Sequence, residues 1–166
     1  MDRSLVVAAA LLAACTACAR GAAAQVHVDG RAGIGMAFGG TDATALSGLF
    51  AVGVGGNRLH VRLDLLANGG GTSEEWVANL ALQVDILRGM ARKPTLYVLG
   101  GIGGATPSSI FSSDEYALLV LGSGLQYPLT GVLGLFGELR GYFALSPPPG
   151  ASSFGTLHAG IRVGAP

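Results

Sequence analysis

Three histidines, His27, His60 and His158, supply the acid–base groups nearest neutral pH in this chain of 166 residues, and their neighbours decide what they could do. His158 follows Ser152 and Ser153, the one place where a nucleophile and a base stand close enough in sequence to suggest hydrolysis or acyl transfer. A second set is ionic: Asp29, Arg31, Arg62, Asp64, Asp85, Glu138, Arg140 and Arg162, four acids against four arginines, all set in apolar sequence. Gly101-Ile102-Gly103-Gly104 and Gly69-Gly70-Gly71-Thr72 are glycine-rich but lack the lysine of a P-loop and a following helical pattern, so they read as strand and turn glycines. Glu74-Glu75 and Asp114-Glu115 are pairs of hard oxygen ligands that could bridge a divalent cation, and read more simply as solvated loop charges. No cofactor or metal site is expected.

The elements that position these residues appear when the chain is split by parity, because successive strand side chains point to opposite faces. Val26, Val28, Gly30, Ala32, Ile34, Met36 and Phe38 form one face, and His27, Asp29, Arg31, Gly33, Gly35 and Ala37 the other. Leu59, Val61, Leu63, Leu65 and Ala67 oppose His60, Arg62, Asp64, Leu66 and Asn68. Trp76, Ala78, Leu80, Leu82, Val84 and Ile86 oppose Val77, Asn79, Ala81, Gln83, Asp85 and Leu87. Near the C-terminus Leu135, Leu139 and Phe143 oppose Phe136, Glu138, Arg140 and Tyr142, and Leu157, Ala159, Ile161 and Val163 oppose Thr156, His158, Gly160 and Arg162. Three further strands, over 45–54, 95–105 and 117–127, complete a set of eight; the first presents Leu46, Phe50, Val52 and Val54 outward and the last Leu119, Leu121, Leu125 and Tyr127, with weaker contrast between faces.

Every charge in the clear strands falls on one face and the large aliphatics on the other. A soluble barrel of the lipocalin type would show the reverse, with hydrophobes inward and charges in water. Ten residues at ~3.3 Å each, tilted by ~40°, cover about 25 Å, the height of an outer-membrane apolar band. The sequence therefore predicts an all-β, eight-stranded, antiparallel up-and-down transmembrane barrel with the eight charges and three histidines in its lumen. A lumen of that size is just wide enough to be filled by side chains. Paired charges inside it predict a neutral plug, with Asp29, Arg62, Asp85, Glu138 and Arg162 forming a layer in the inner half. Glycines such as Gly33, Gly35, Gly53, Gly160 and Gly164 make room for larger inward neighbours.

Residues 1–24 read as a signal peptide preceding a barrel domain over 25–166: Arg3 gives a basic start, Leu5 to Ala14 an apolar core, and Ala22-Ala23-Ala24 a cleavage site before Gln25. That apolar run is shorter than the ~20 residues of a membrane helix. Leu12-Ala13-Ala14-Cys15 offers a competing reading as a lipobox with Cys15 lipidated; the second cut site and the alternation that begins directly after it favour cleavage at 24. Either way Cys15 and Cys18 form no disulfide in the barrel. Losing Asp2, Arg3 and Arg20 leaves nine acids and eight bases, too balanced for a nucleic-acid partner.

With an inner N-terminus, outer connections fall near 39–45, 68–75, 106–115 and 146–153, and inner ones near 55–58, 88–94 and 128–134. The outer set holds Asp42, Glu74, Glu75, Asp114 and Glu115, and the inner set Arg58, Arg88, Arg92 and Lys93. Trp76 and Tyr116 at outer strand ends are expected as interfacial anchors.

The strand end Gly122-Ser123-Gly124-Leu125-Gln126-Tyr127, the stretch Leu135-Phe136-Gly137-Glu138-Leu139-Arg140 and the closing Leu157-His158-Ala159-Gly160-Ile161-Arg162-Val163 resemble the small bacterial outer-membrane β-barrels of the OmpA/OmpX-like type. The resemblance spans roughly 25–164. It implies a monomer in the bacterial cell outer membrane, in contact with lipid and lipopolysaccharide and inserted by the barrel-assembly machinery. It implies a non-enzymatic structural or surface-interaction role in the cell envelope, against the alternatives of a lipid A-modifying enzyme built on His158 or a narrow selective channel. Such barrels usually end in an aromatic residue read by that machinery; here the last residues are Val163-Gly164-Ala165-Pro166.

Overall fold

The computed structural model describes residues 26–39, 44–56, 58–69, 75–87, 93–107, 115–145 and 152–164. The proposed signal segment with Cys15, and most of the outer-loop and inner-turn charges (Asp42, Glu74, Asp114, Arg88 and Arg92), lie outside the described residues. Eight strands follow in chain order: β1 (His27–Gly39), β2 (Thr44–Gly55), β3 (Leu59–Gly69), β4 (Glu75–Leu87), β5 (Thr95–Pro107), β6 (Tyr116–Pro128), β7 (Leu133–Ala144) and β8 (Phe154–Gly164). Each pairs antiparallel with the next, and β1 pairs with β8, so the sheet closes into a barrel with no free edge. Strands of 11 to 13 residues, tilted as in small membrane barrels, give a wall about 30 Å high, the thickness of a bilayer hydrocarbon core.

Up to the end of β4, where Leu87 departs from it, the parity expected for the clear strands is the parity observed. Val28, Ile34, Leu46, Phe50, Leu63, Leu82, Ile102, Leu121, Leu139, Leu157 and Ile161 all stand exposed on the outside, whereas Asp29, Arg31, Arg62, Asp64, Glu138 and Arg140 are buried inside. Exposed aliphatics on this scale have no place in water. The inverted arrangement, apolar outside and charged inside, excludes the soluble-barrel reading.

Three assignments are corrected. Leu87, expected inward, is 64% exposed, because the β4–β5 register shifts between Asp85 and Leu87 and one extra residue reverses parity. Tyr116, expected as an anchor, is buried with its ring inward and its hydroxyl donating to Glu75. Glu75 is thus the first residue of β4 rather than a loop charge, and Trp76 alone of that pair presents an outward ring. Small inward residues set the distances across the lumen. A Cβ on Gly33 would lie 2.8 Å from the Phe136 ring, and one on Gly53 would lie 2.6 Å from Asp29 Oδ1.

Candidate functional site

The barrel interior is the only enclosed chemistry among the described residues, and it divides into two halves. Toward the short-turn end it is ionic. Glu138 on β7 accepts from Arg62 Nη1 on β3 at 2.7 Å, from the Tyr97 hydroxyl on β5 at 2.5 Å and from Arg140 Nε beside it. Asp64 bridges two arginines, with Arg62 Nη2 at 3.2 Å and Arg140 Nη1 at 2.8 Å. Asp29 bridges two more, Arg31 Nε at 2.9 Å and Arg162 Nε at 3.0 Å. Arg31 and Arg162 face one another in register on β1 and β8, so the shared carboxylate relieves a like-charge contact at the closing seam.

Gln83 joins these groups. Its Oε1 accepts from Arg31 Nη2 at 2.9 Å and from Arg62 Nη1 at 3.2 Å, while its Nε2 donates to Asp85 Oδ1 at 2.9 Å. Arg31 also donates to the Tyr97 hydroxyl at 3.2 Å and lies 5.3 Å from that ring's centroid. The i, i+2 pairs Asp29/Arg31, Arg62/Asp64 and Glu138/Arg140 arise because residues two apart share a face of one strand.

Of the eight charged residues, Asp29, Arg31, Arg62, Asp64, Asp85, Glu138 and Arg140 are buried and Arg162 is half-buried. The inner-half layer expected from Asp29, Arg62, Asp85, Glu138 and Arg162 is too narrow a description: Arg31, Asp64 and Arg140 belong to the same connected network. Long arginine side chains reach across levels that strand position alone separates. Gln83, Tyr97 and Tyr142 were not singled out by sequence reasoning. Gln83 and Tyr142 carried the inward parity that could have flagged them, whereas Tyr97 sits in a strand apolar on both faces.

Toward the long-loop end the lumen is mainly apolar. Ala37, Leu49, Leu66, Val77, Ala105, Leu118, Val120, Tyr142 and Phe154 pack as one buried cluster. The Tyr142 and Phe154 rings stack with centroids 4.6 Å apart. Tyr142 joins the two halves, since its hydroxyl accepts from Arg140 Nη1 at 3.1 Å.

The histidines do not converge. His27 is half-buried at the start of β1, His60 Nε2 lies 3.7 Å from Asp85 Oδ2, and His158 Nε2 lies 2.8 Å from Ser47 Oγ. His158 thus meets a hydroxyl on β2, across Gly35, and neither Ser152, Ser153 nor a carboxylate; Ser153 Oγ instead accepts from the Ala144 amide at 3.2 Å. Ser47 and His158 have the separation of a nucleophile and its base, without the third group that completes such a set. The Ser47 hydroxyl donates to Asn68 Oδ1 at 2.6 Å, an arrangement satisfied when His158 Nε2 carries the proton, and His158 Nδ1 has no acid partner to orient it. Both residues are buried on the lumenal face of the wall. Among the described residues no group of three His, Cys, Asp or Glu side chains is arranged to hold a metal ion.

No known family model and no curated sequence relative matches the chain. Solved structures do. Neisserial surface protein A superposes with a TM-score of 0.63 at 19% identity, covering 83% of this chain and 96% of its own. The N-terminal β-barrel domain of Pseudomonas aeruginosa OprF gives 0.67 at 15% identity, with 83% and 96% covered. Ail, the attachment invasion locus protein of Yersinia pestis, gives 0.51 at 14% identity, with 85% and 98% covered. These likenesses span nearly the full length of each barrel, and with the inverted wall and the closed eight-strand order they establish that the chain has the fold of the small eight-stranded bacterial outer-membrane β-barrels.

Proposed function

We propose that this protein is a non-enzymatic outer-membrane barrel with a sealed lumen, serving the cell envelope as a structural element or as a scaffold that presents its outer loops. The observation that carries the reading is the lumen's double seal. Asp29, Asp64 and Glu138 are drawn into contact with four arginines at one end, with Asp85 joined to them through Gln83, and a mainly apolar cluster occupies the other. A water path would have to break ion pairs that are costly to leave half-made in a low-dielectric interior and then cross the Tyr142–Phe154 stack. An acyl-transfer site at His158 is disfavoured by its burial and by the lack of an acid partner on Nδ1. Ail's own name marks a role in attachment for that barrel, which makes surface contact through the outer loops the natural form of the scaffold reading.

Planar-bilayer recording of the purified full chain tests the seal. The expected result is a barrel that shows heat-modifiable gel mobility yet gives no stable conductance steps. Sustained steps from a heat-modifiable preparation would overturn the sealed-lumen reading, and absence of any mobility shift would overturn the membrane barrel itself.

A further inference from the structure

Arg62, Asp64, Arg140 and Glu138 close a ring of ion pairs. Asp64 meets Arg62 at 3.2 Å and Arg140 at 2.8 Å, and Glu138 meets Arg62 at 2.7 Å and Arg140 beside it. The two acids and two arginines cancel, so the ring has no spare charge with which to draw in an ion. Its polar atoms are nevertheless not all used: Arg140 Nη2 is buried and has no acceptor.

Unpartnered groups flank this ring on both sides. Asn79 stands in register with Asp64 on the neighbouring strand, is 2% exposed, and has no partner for either atom of its amide. Thr156 stands in register with Arg140 and His158 with Glu138, and the Thr156 hydroxyl and His158 Nδ1 are likewise buried and unpartnered. Buried polar atoms are satisfied, by protein or by ordered water, in the large majority of cases, so several bare ones gathered about one ion ring point to a ligand. The wall leaves room for it. Beside Asn79, Ala81 on its own strand and Gly101 and Gly103 on β5 bring at most a methyl group into the lumen.

The unpartnered atoms identify the ligand by their chemistry. Arg140 Nη2 and Asn79 Nδ2 donate, Asn79 Oδ1 accepts, the Thr156 hydroxyl does both, and His158 Nδ1 accepts in the tautomer that satisfies Ser47. An anion would be repelled by the acceptors and a cation by the donors. A small neutral molecule that both gives and takes hydrogen bonds suits all of them, and that molecule is water.

We propose that the waist of the lumen, between the ion ring and the apolar cluster, is a binding site for a few ordered waters, held by Asn79 on one side of the Asp64–Arg140 pair and by Thr156 and His158 on the other. They solvate buried charges without joining either mouth, because Arg31, Gln83 and Arg62 are bonded together on the inner side and the Tyr142–Phe154 stack lies on the outer. This rests on the sealed-lumen reading above and adds to it a ligand and a place.

Water-selective NMR on the full chain in lipid nanodiscs tests it. The Asn79 side-chain amide signals, assigned by their loss in Asn79→Leu, are expected to show cross-peaks at the water frequency with opposite signs in laboratory-frame and rotating-frame Overhauser spectra, the mark of bound water rather than proton exchange. Absence of those cross-peaks from a preparation that gives no conductance steps overturns the proposal and leaves the seal standing. Stable conductance steps overturn the seal, and the proposal with it. Thr156→Val keeps the shape of the side chain and removes only the hydroxyl. In a hydrated waist the guanidinium midpoint of the heat-modifiable barrel falls, whereas a midpoint that stays or rises shows a hydroxyl with no water to lose and overturns the proposal. Anomalous scattering beside Arg140 in crystals soaked in sodium bromide would put an anion there instead and overturn it as well.

Discussion

The two halves of the lumen are filled by opposite means. At the inner end, each of Asp29, Asp64 and Glu138 is held by at least two arginines, and Gln83 turns its amide so that oxygen faces cations and nitrogen faces Asp85. At the outer end Leu66, Leu118, Val120 and Phe154 fill the space mainly with apolar side chains, beside the Ser47–Asn68–His158 bridge. The difference lies in tolerance. An apolar cluster loses contacts in proportion to what is removed, whereas an ion network loses a partner and leaves the remaining charges stranded.

Removing a carboxylate from the inner half should therefore have the largest effect. Glu138→Ala leaves Arg62 and Arg140 short of a counter-charge and is expected to cost about 3–5 kcal/mol, read as a fall in the guanidinium midpoint for unfolding of the lipid-reconstituted barrel. A cost below that of an outer-half truncation would break the comparison. Leu66→Ala, in the outer half, is expected to cost about 2–4 kcal/mol by the same assay, as lost packing with no stranded charge, and to leave the barrel closed to ions. Conductance from Leu66→Ala but not from Glu138→Ala would show that the apolar half is the true seal. The smallest effect belongs to the polar bridge within the outer half: Ser47→Ala removes the His158 and Asn68 contacts and is expected to cost about 1 kcal/mol, with heat-modifiable mobility retained.

The same contrast explains what the sequence made legible. Strands β1, β3, β4, β7 and β8 carry charged or amide side chains inward, so alternation against lipid-facing aliphatics was plain. In β5 and β6 the inward residues Tyr97, Leu99, Leu118 and Val120 are as apolar as the outward Val98, Ile102, Leu119 and Leu121, and period-two contrast fades where the lumen is itself apolar. Leu87 escaped because a bulge is invisible to parity, and Tyr116 because a terminal tyrosine suits either face. Membership of the ionic network followed from inward parity; the partners within it did not, since they depend on the stagger at which the sheet closes. His158 was placed inside correctly but given the wrong neighbour, because Ser47 is 111 residues away in the chain.

The seam between β1 and β8 bears on how the barrel comes into being. Asp29 meets Arg162 across 133 residues of chain, and that contact belongs to a pairing no other strand can supply. Until β8 arrives, a growing sheet has two raw borders of unbonded amides and carbonyls, which hydrocarbon does not tolerate. Partial barrels are thus poor resting points, and insertion should proceed as a single cooperative event in which the first strand waits for the last. The Arg31–Asp29–Arg162 bridge would then be a clasp fastened at the final step, marking a finished barrel from an open one.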